Sequence, residues 1–129
     1  MKLIKREKIT KEYLPGRVIQ KAVGKDSVHI STRITTGYAH YSEESGPMEP
    51  HHHAEEVVYI ISARDGWVKY GEFKDKLCDP ISLEAGMMLH FHSLEWHVFE
   101  FAPGGHVDII FFYGQVENIR PEEIINSNK

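Results

Sequence analysis

The amino-acid sequence predicts an all-β sandwich or barrel. Short segments rich in β-branched and aromatic residues recur along the chain, separated by turn residues about every 8–12 positions. Helical periodicity is almost absent, and two runs, residues 57–61 and 107–113, are largely apolar on both faces. Strands buried on both sides indicate two packed sheets, or one sheet that also forms a subunit interface. Repeated short strands with little helix are typical of β-sandwiches and barrels.

The N-terminal half of the chain carries three of the predicted strands. A turn with the sequence Leu-Pro-Gly at residues 14–16 precedes the first strand. The second alternates between apolar and polar side chains, so its two faces differ, and Gly37 interrupts the run before the third. These strands are predicted at residues 17–23, 28–35 and 38–41, and the last leads into a loop at residues 42–50.

The C-terminal half alternates strands with short turns. Residues 55–62 have the clearest strand pattern, and a hairpin turn is predicted at residues 63–66, where Gly66 can adopt a positive φ. A second turn is predicted at residues 102–105, and residues 71–80 form a polar loop. The remaining strands are predicted at residues 67–70, 81–83, 87–91, 96–101 and 107–113.

Composition and charge narrow the possible partners and the compartment. The formal net charge is −4 and no basic block is present, which argues against a nucleic acid partner. No apolar run approaches the ~18 residues of a membrane span, and the charged N-terminus does not resemble a secretory signal. The single cysteine, Cys78, excludes an internal disulfide and fits a reducing compartment. We therefore expect a cytoplasmic protein that acts on neither nucleic acid nor membrane.

Histidines are the main functional signal. The chain has 9 of them, and those in the middle of the sequence form two clusters, at residues 51–53 and 90–97. Histidines at positions i and i+2 of a strand face the same way and can share one metal, as His51 and His53 would. Imidazole and carboxylate groups that converge on one point suit a divalent first-row metal, and Glu55 or Glu56 can supply the carboxylate. A solvated polar loop is the alternative for the triplet, but the second cluster favours a metal site.

The first cluster resembles one of the two sequence motifs of cupins. That motif has a glycine, a loop, the pattern H-x-H, and then a glutamate that leads into an apolar strand. Gly46, the triplet at residues 51–53, Glu56 and the apolar run at residues 57–61 have this layout.

The second cluster resembles the other cupin motif. That motif has a glycine, about five residues, the pattern P-x-G, two residues and a histidine, and residues 86–97 have its spacing, ending at His97. This sequence departs from it at His92, where the family usually has proline, and at Leu94, where it has glycine. The chain is similar to a small single-domain cupin over residues 17–113, which implies a double-stranded β-helix, or jelly roll.

The resemblance also implies a metal near the mouth of the barrel. The preferred ligand set is His51, His53, Glu56 and His97, with a β-bulge that turns Glu56 towards the histidines. The first motif is compressed, because only two residues separate His53 from Glu56. Glu49 paired with His51 would restore the family spacing and is the alternative. The candidates from the loop thus remain Glu49, His51, His52 and His53.

Three nitrogens and one oxygen suit Mn, Fe, Ni or Zn. Four protein ligands leave positions open on a metal that takes five or six, as Mn, Fe and Ni do, whereas a four-ligand Zn site would be closed. His90 and His92 are tentative acid–base residues, because histidine titrates near neutral pH. A scaffold role for these two histidines is an equal alternative.

We assign the whole chain, residues 1–129, to one cupin domain. Its barrel core, N-terminal arm and C-terminal tail lie at residues 17–113, 1–16 and 114–129. Short helical segments are predicted in the arm and the tail, at residues 10–14 and 121–126.

The resemblance implies a metal-binding cupin that acts on a small polar metabolite such as a sugar derivative or an organic acid. The expected activity is that of a metal-dependent enzyme, of dioxygenase, isomerase, lyase or decarboxylase type. A non-catalytic cupin that binds a small ligand or regulates is the alternative. A homodimer is expected, because the strands that are apolar on both faces need cover.

Overall fold

A single network of eight mainly antiparallel strands makes up the fold of the computed structural model, which describes residues 1–114. The strands are β1 (Glu12–Leu14), β2 (Arg17–Gly24), β3 (His29–Ile30), β4 (Thr35–Ser42), β5 (Glu56–Gly71), β6 (Ile81–Ser82), β7 (Met88–Phe91) and β8 (Trp96–Tyr113). Their order is β1-β2-β4-β8-β5-β6, with β3 beside β2 and β7 beside β5. Two short 3-10 turns, Arg6–Lys8 and Glu43–Ser45, are the helical elements within the described part. The predicted all-β class is confirmed.

Two long bent strands, β5 and β8, form the centre of the sheet. They pair from Glu56 opposite Tyr113 to Gly71 opposite Trp96. The hairpin turn predicted at residues 63–66 is therefore wrong, because β5 pairs with β8 on both sides of it. The turn predicted at residues 102–105 is a bulge within β8, where the register shifts between Phe101 and His106 and Gly104 has a φ of +79°. Such irregularities bend a strand, and the first half of β5 pairs with β7 while its second half pairs with β6.

A close backbone approach explains Gly66 at this bend. A Cβ atom on Gly66 would lie 2.5 Å from Val107 Cγ2 and 2.8 Å from the carbonyl oxygen of His106. The glycine is needed because β8 crosses it closely, and a positive φ in a hairpin turn plays no part.

The predicted strand at residues 28–35 is largely replaced by a turn. Only His29–Ile30 is extended, and the Ser31 hydroxyl accepts hydrogen bonds from the backbone N–H groups of Arg33 and Ile34, at 3.1 and 3.2 Å. A serine side chain that bonds two following N–H groups stabilises a turn in competition with a ladder. Gly37 does not break a strand, since it lies inside β4, where a Cβ would be 2.4 Å from the carbonyl oxygen of Gln20.

The N-terminal helical segment predicted at residues 10–14 is also wrong. Residues Glu12–Leu14 form β1, which pairs with the start of β2 and places Leu14 opposite Arg17. Gly16, with φ +86°, permits the tight reversal between the two strands. The other helical segment, predicted at residues 121–126, lies outside the described residues. No helix in residues 1–114 has the length and apolarity needed to span a bilayer.

A partly buried ion pair holds the N-terminal arm against the outer face of the sheet. Arg6 donates two hydrogen bonds of 2.7 Å to the carboxylate of Asp108, and His40 Nδ1 lies 2.8 Å from the same group. Burial alone would raise the pKa of Asp108, but the hydrogen bonds from Arg6 and His40 lower it to about 2. The Gln20 amide donates to the carbonyl oxygens of Arg6 and Ile9, so the arm covers that face of β2.

Apolar side chains of the long strands form the core. The most deeply buried are Val58, Ile60, Val98, Phe99, Val107 and Ile109. The core borders a cavity of about 710 Å³ between β2, β4 and β8 and the loop that precedes β5. Because the arm covers Val18 and Gln20, the alternate β2 residues Arg17, Ile19 and Lys21 line this cavity.

Candidate metal centre

Three histidines meet at one wall of the cavity. The side chains of His51, His53 and His97 each offer a nitrogen, and these nitrogens lie within 4.8 Å of one another. His51 and His97 also pair through their backbones, with N–H to oxygen distances of 3.1 and 2.9 Å in the two directions. This isolated bridge attaches the histidine loop to β8 and brings two segments that are distant in sequence to one point.

Glu56, the first residue of β5, places a carboxylate beside two of the three histidines. Its Oε1 lies 3.6 Å from His53 Nε2 and 3.4 Å from His97 Nε2. The chain bends at Ala54 between the histidines and the strand, so the bend takes the place of the expected β-bulge. His53, Glu56 and His97 are 7%, 5% and 2% exposed, so the cluster lies in the interior.

Backbone carbonyl groups orient two of the imidazoles. His97 Nδ1 lies 2.9 Å from the carbonyl oxygen of Glu95, and His51 Nδ1 lies 3.3 Å from that of Glu49. A carbonyl oxygen only accepts, so these contacts need the proton on Nδ1 and leave Nε2 as the ring nitrogen that can bind a metal. Glu49 and Glu95 thus act through their main chains. The Glu49 side chain is exposed and lies outside the histidine group, and the Glu95 carboxylate accepts from the backbone N–H of His92.

Aromatic contacts decide which way the triplet turns. The ring of His52 packs on Trp96 at a centroid distance of 4.1 Å, outside the histidine group. The ring of His97 stacks on buried Phe91 at 4.0 Å with an interplanar angle of 13°, which fixes its plane. The structure therefore brings His51 and His53 together with His97 and turns the middle histidine elsewhere.

The strained residue Leu94 connects the two motifs. Its φ is +66°, in the left-handed region that favours glycine, and it stands where cupins usually have glycine. Its backbone N–H donates to the carbonyl oxygen of His53 at 2.8 Å. The turn at this position holds the histidine loop against the start of β8, which explains why the motif needs a left-handed residue here.

His90 and His92, the tentative acid–base residues, are not brought together with the cluster. They lie on the exposed side of the β7 region, while Phe91 between them points into the core. His90 Nε2 pairs with the exposed Glu55 carboxylate at 2.6 Å, and neither histidine lines the cavity. Their alternation along the strand was predicted correctly, but they occupy its outer face.

Two functional candidates were missed by the sequence analysis, which gave neither Tyr113 nor Arg17 a role in the site. The Tyr113 hydroxyl lies 3.4 Å from His53 Nε2, and both residues line the cavity. Burial, with the nearby Glu56 carboxylate, raises the pKa of Tyr113 well above its usual value, so this side chain is a neutral hydroxyl. The predicted strand at residues 17–23 places Arg17 and Lys21 on one face, but the sequence does not say which face the arm covers.

The residues present fit a divalent transition metal. Three imidazole nitrogens and one carboxylate oxygen form a common donor set for these ions. Ligand atoms bound about 2.1 Å from one ion lie roughly 3–4 Å apart, and the 3.4 and 3.6 Å separations from Glu56 fall in that range.

Comparisons with known proteins identify the fold. No protein-family model matches the chain, and no curated protein matches it. Among solved structures, the polyketide cyclase RemF from Streptomyces resistomycificus is 15% identical, with a TM-score of 0.66, and the match covers 100% of this chain and 94% of that one.

Two enzymes with longer chains are also similar. Hydroxypropylphosphonic acid epoxidase from S. wedmorenis is 13% identical with a TM-score of 0.62, and the match covers 87% of this chain and 58% of the epoxidase. Oxalate decarboxylase from Bacillus subtilis is 15% identical with a TM-score of 0.66, and the match covers 97% of this chain and 36% of the decarboxylase. The chain thus spans little more than half of the epoxidase and about a third of the decarboxylase.

The chain has a cupin-type jelly-roll fold, as the resemblance implied. At these identities the likeness shows the fold alone. Solved neighbours include an Fe(II) form of HppE and an oxalate decarboxylase with Mn(II) centres. The class defined by fold and site is that of a cupin-fold protein with a cluster of three histidines suited to a metal.

Proposed function

We propose that this chain binds a divalent transition metal through His51, His53, Glu56 and His97 and acts on a small polar metabolite as a metal-dependent enzyme. The observation that carries the proposal is the convergence of three histidine nitrogens within 4.8 Å at the wall of a cavity. The cavity of about 710 Å³ has room for a ligand of metabolite size beside the cluster.

The side chains of the site would have different roles in binding the metal and the metabolite. Glu56 supplies the negative charge at the centre, and the carbonyl contacts of His51 and His97 hold their Nε2 atoms ready as ligands. When bound, the ion would supply Lewis-acid chemistry towards an oxygen of the metabolite. The Tyr113 hydroxyl, beside His53, can donate a hydrogen bond to that metabolite.

Mn, Fe, Ni and Zn all suit this donor set, and the first three keep positions open beyond four protein ligands. The Fe(II) and Mn(II) proteins among the structural neighbours support a metal that keeps coordination positions open. The proposed reaction is of dioxygenase, isomerase, lyase or decarboxylase type.

A non-catalytic ligand-binding or regulatory cupin is the second candidate. It is favoured by the exposed positions of His90 and His92, which leave the cavity without the acid–base histidines that an enzyme was expected to have. Sustained turnover of a co-purifying metabolite by the metal-loaded protein would favour the enzyme. Release of the metabolite in chemically unchanged form when the protein is unfolded would favour a binding protein.

Single substitutions in the histidine triplet test the metal site. His51→Ala should lose most of the bound metal, measured by elemental analysis of untagged protein that never met a nickel column. His52→Ala is the matched control, because it removes the neighbouring histidine, whose ring packs on Trp96 outside the cluster. Retained metal in the His51 variant, or equal loss in both variants, would contradict the proposal.

The remaining predictions about partners stay proposals. A homodimer is supported by apolar side chains on the outer face of the central strands, where Tyr59 and Phe112 are 37% and 40% exposed beside Val57. A cytoplasmic protein without nucleic acid or membrane partners remains the expectation from net charge and hydropathy.

A further inference from the structure

Three cationic side chains line the cavity that contains the histidine cluster. Arg17 and Lys21 come from β2, and Lys74 comes from the loop between β5 and β6. Lysine and arginine are seldom placed on the inner face of a barrel strand, because burial of an unpaired charge is unfavourable. The presence of two of them on the cavity side of β2 therefore calls for a physical reason.

The shape of the sheet turns these cations inward. The N-terminal arm covers the opposite face of β2 through Gln20, so the alternate residues must face the cavity. Across the ladder, Ile19 pairs with Ala39, and Lys21 pairs with Gly37. The small side chains of β4 leave room in front of the β2 residues instead of filling it.

Arg17 and Lys21 differ in how their charges are balanced. Lys21 Nζ lies 3.7 Å from a Glu12 carboxylate oxygen, near the rim. Within residues 1–114, no carboxylate forms an ion pair with Arg17, which is half-buried in the cavity wall. A guanidinium group in that position has five donors and a fixed charge available to a ligand.

Arg17 borders the same cavity as the histidine cluster. Tyr113 and the three cluster histidines line that cavity together with it. The Tyr113 hydroxyl in turn lies 3.4 Å from His53 Nε2. The cation, the hydroxyl and the imidazoles therefore border one continuous space that a single small molecule can occupy.

The charge of the cavity favours an anion. Its wall has three side-chain cations against two carboxylates, Glu49 and Glu56. A divalent ion at the cluster would leave the cavity with a clear excess of positive charge, and a site of one sign concentrates ligands of the opposite sign.

We propose that the ligand of this cavity is a small anion, whose carboxylate or phosphate group is bound by the guanidinium of Arg17. Bidentate hydrogen bonding of a planar guanidinium to such a group is strong and directional. The inference rests on the proposed function only for the second contact, between another oxygen of the ligand and the metal. It names an organic acid or a phosphorylated metabolite as the ligand class and excludes a neutral sugar.

Calorimetric titration of the full chain, loaded with Mn(II), tests the inference. The probes are malonate, inorganic phosphate and malonamide, which is a neutral analogue of malonate. We expect at least one of the anions to bind and malonamide to bind at least about 10-fold more weakly. Arg17→Gln should weaken anion binding by about 10- to 100-fold, as expected for the loss of a hydrogen bond to a charged group. Arg33→Gln, at an exposed arginine outside the cavity, is the matched control and should bind as the wild type does.

Several results would overturn the inference. They are equal anion binding by the Arg17 variant and the wild type, equal binding of malonamide and malonate, or no binding of either anion at millimolar concentration. Elemental analysis of the same samples distinguishes a failure of the anion inference from a failure of the proposed metal site. If the wild type holds no Mn(II), the proposed function is contradicted, and the titrations are repeated on metal-free protein. Loss of anion binding in the Arg17 variant then supports the inference. Equal binding by the variant and the wild type refutes it.

Discussion

Replacement of Asp108 by asparagine should reduce stability in a way that depends on pH. The Asp108 carboxylate accepts two 2.7 Å hydrogen bonds from Arg6, and His40 Nδ1 lies 2.8 Å from it. These contacts hold the N-terminal arm on the outer face of the sheet, behind the strand that lines the cavity. Asparagine keeps the shape of the side chain but removes its charge.

The magnitude follows from the pKa of the Asp108 carboxyl. It falls from the usual value of 3.8 to about 2 in the folded protein. One unit corresponds to about 1.4 kcal/mol, and partial exposure of the pair to solvent reduces the total to about 1–2 kcal/mol. A lowered pKa in the folded state means that this stabilisation is present above about pH 4 and is lost as the pH falls through about 2.

Urea unfolding followed by tryptophan fluorescence at pH 7, 4, 3 and 2 measures the effect. The free energy of unfolding of Asp108→Asn should lie about 1–2 kcal/mol below that of the wild type at pH 7, and the difference should shrink towards pH 2. Asp79→Asn, at an exposed position, is the control and should change little. A deficit of the same size at pH 7 and pH 2 would refute the electrostatic reasoning, and no deficit at either pH would refute the arm contact itself.

Two further predictions concern the cluster and the outer face. Glu56→Gln keeps the size of the side chain and removes the carboxylate, so metal affinity, measured by competition with a chelator, should fall by more than the roughly 10- to 100-fold typical of outer-shell changes; unchanged affinity would remove Glu56 from the ligand set. Phe112→Glu places a charge on the apolar outer face and should convert a dimer into a monomer by light scattering. Ile81→Glu, at an exposed apolar residue on another strand, should leave the mass unchanged, and a wild type that is already monomeric would contradict the homodimer.

Much of the fold could be predicted from local signals. Runs of β-branched and aromatic residues, bounded by turn residues, located β2, the start of β5 and β7 to within a residue or two. The hairpin prediction at residues 63–66 was wrong because a glycine that suits a turn also suits a bend where two strands cross closely. Local sequence does not distinguish the two, since the difference lies in what packs against the glycine.

The candidate site also depends partly on features visible in the sequence and partly on tertiary contacts. The resemblance to the two cupin motifs implied His51, His53, Glu56 and His97 as one group, and the ligand chemistry of imidazole and carboxylate agrees with it. The outward turn of His52 depends on a bend at Ala54 and on the ring of Trp96. No periodicity in the triplet carries that information.

By itself the sequence determined the all-β class, the two histidine clusters and the residues that could form a metal site. Only the tertiary structure decided which face of each strand meets the cavity. His90 and His92 face outwards, whereas Arg17 faces inwards. The physical reason is that alternation along a strand defines two faces but does not determine which of them faces the cavity. What covers each face comes from distant residues, here an arm held by Arg6 and Asp108.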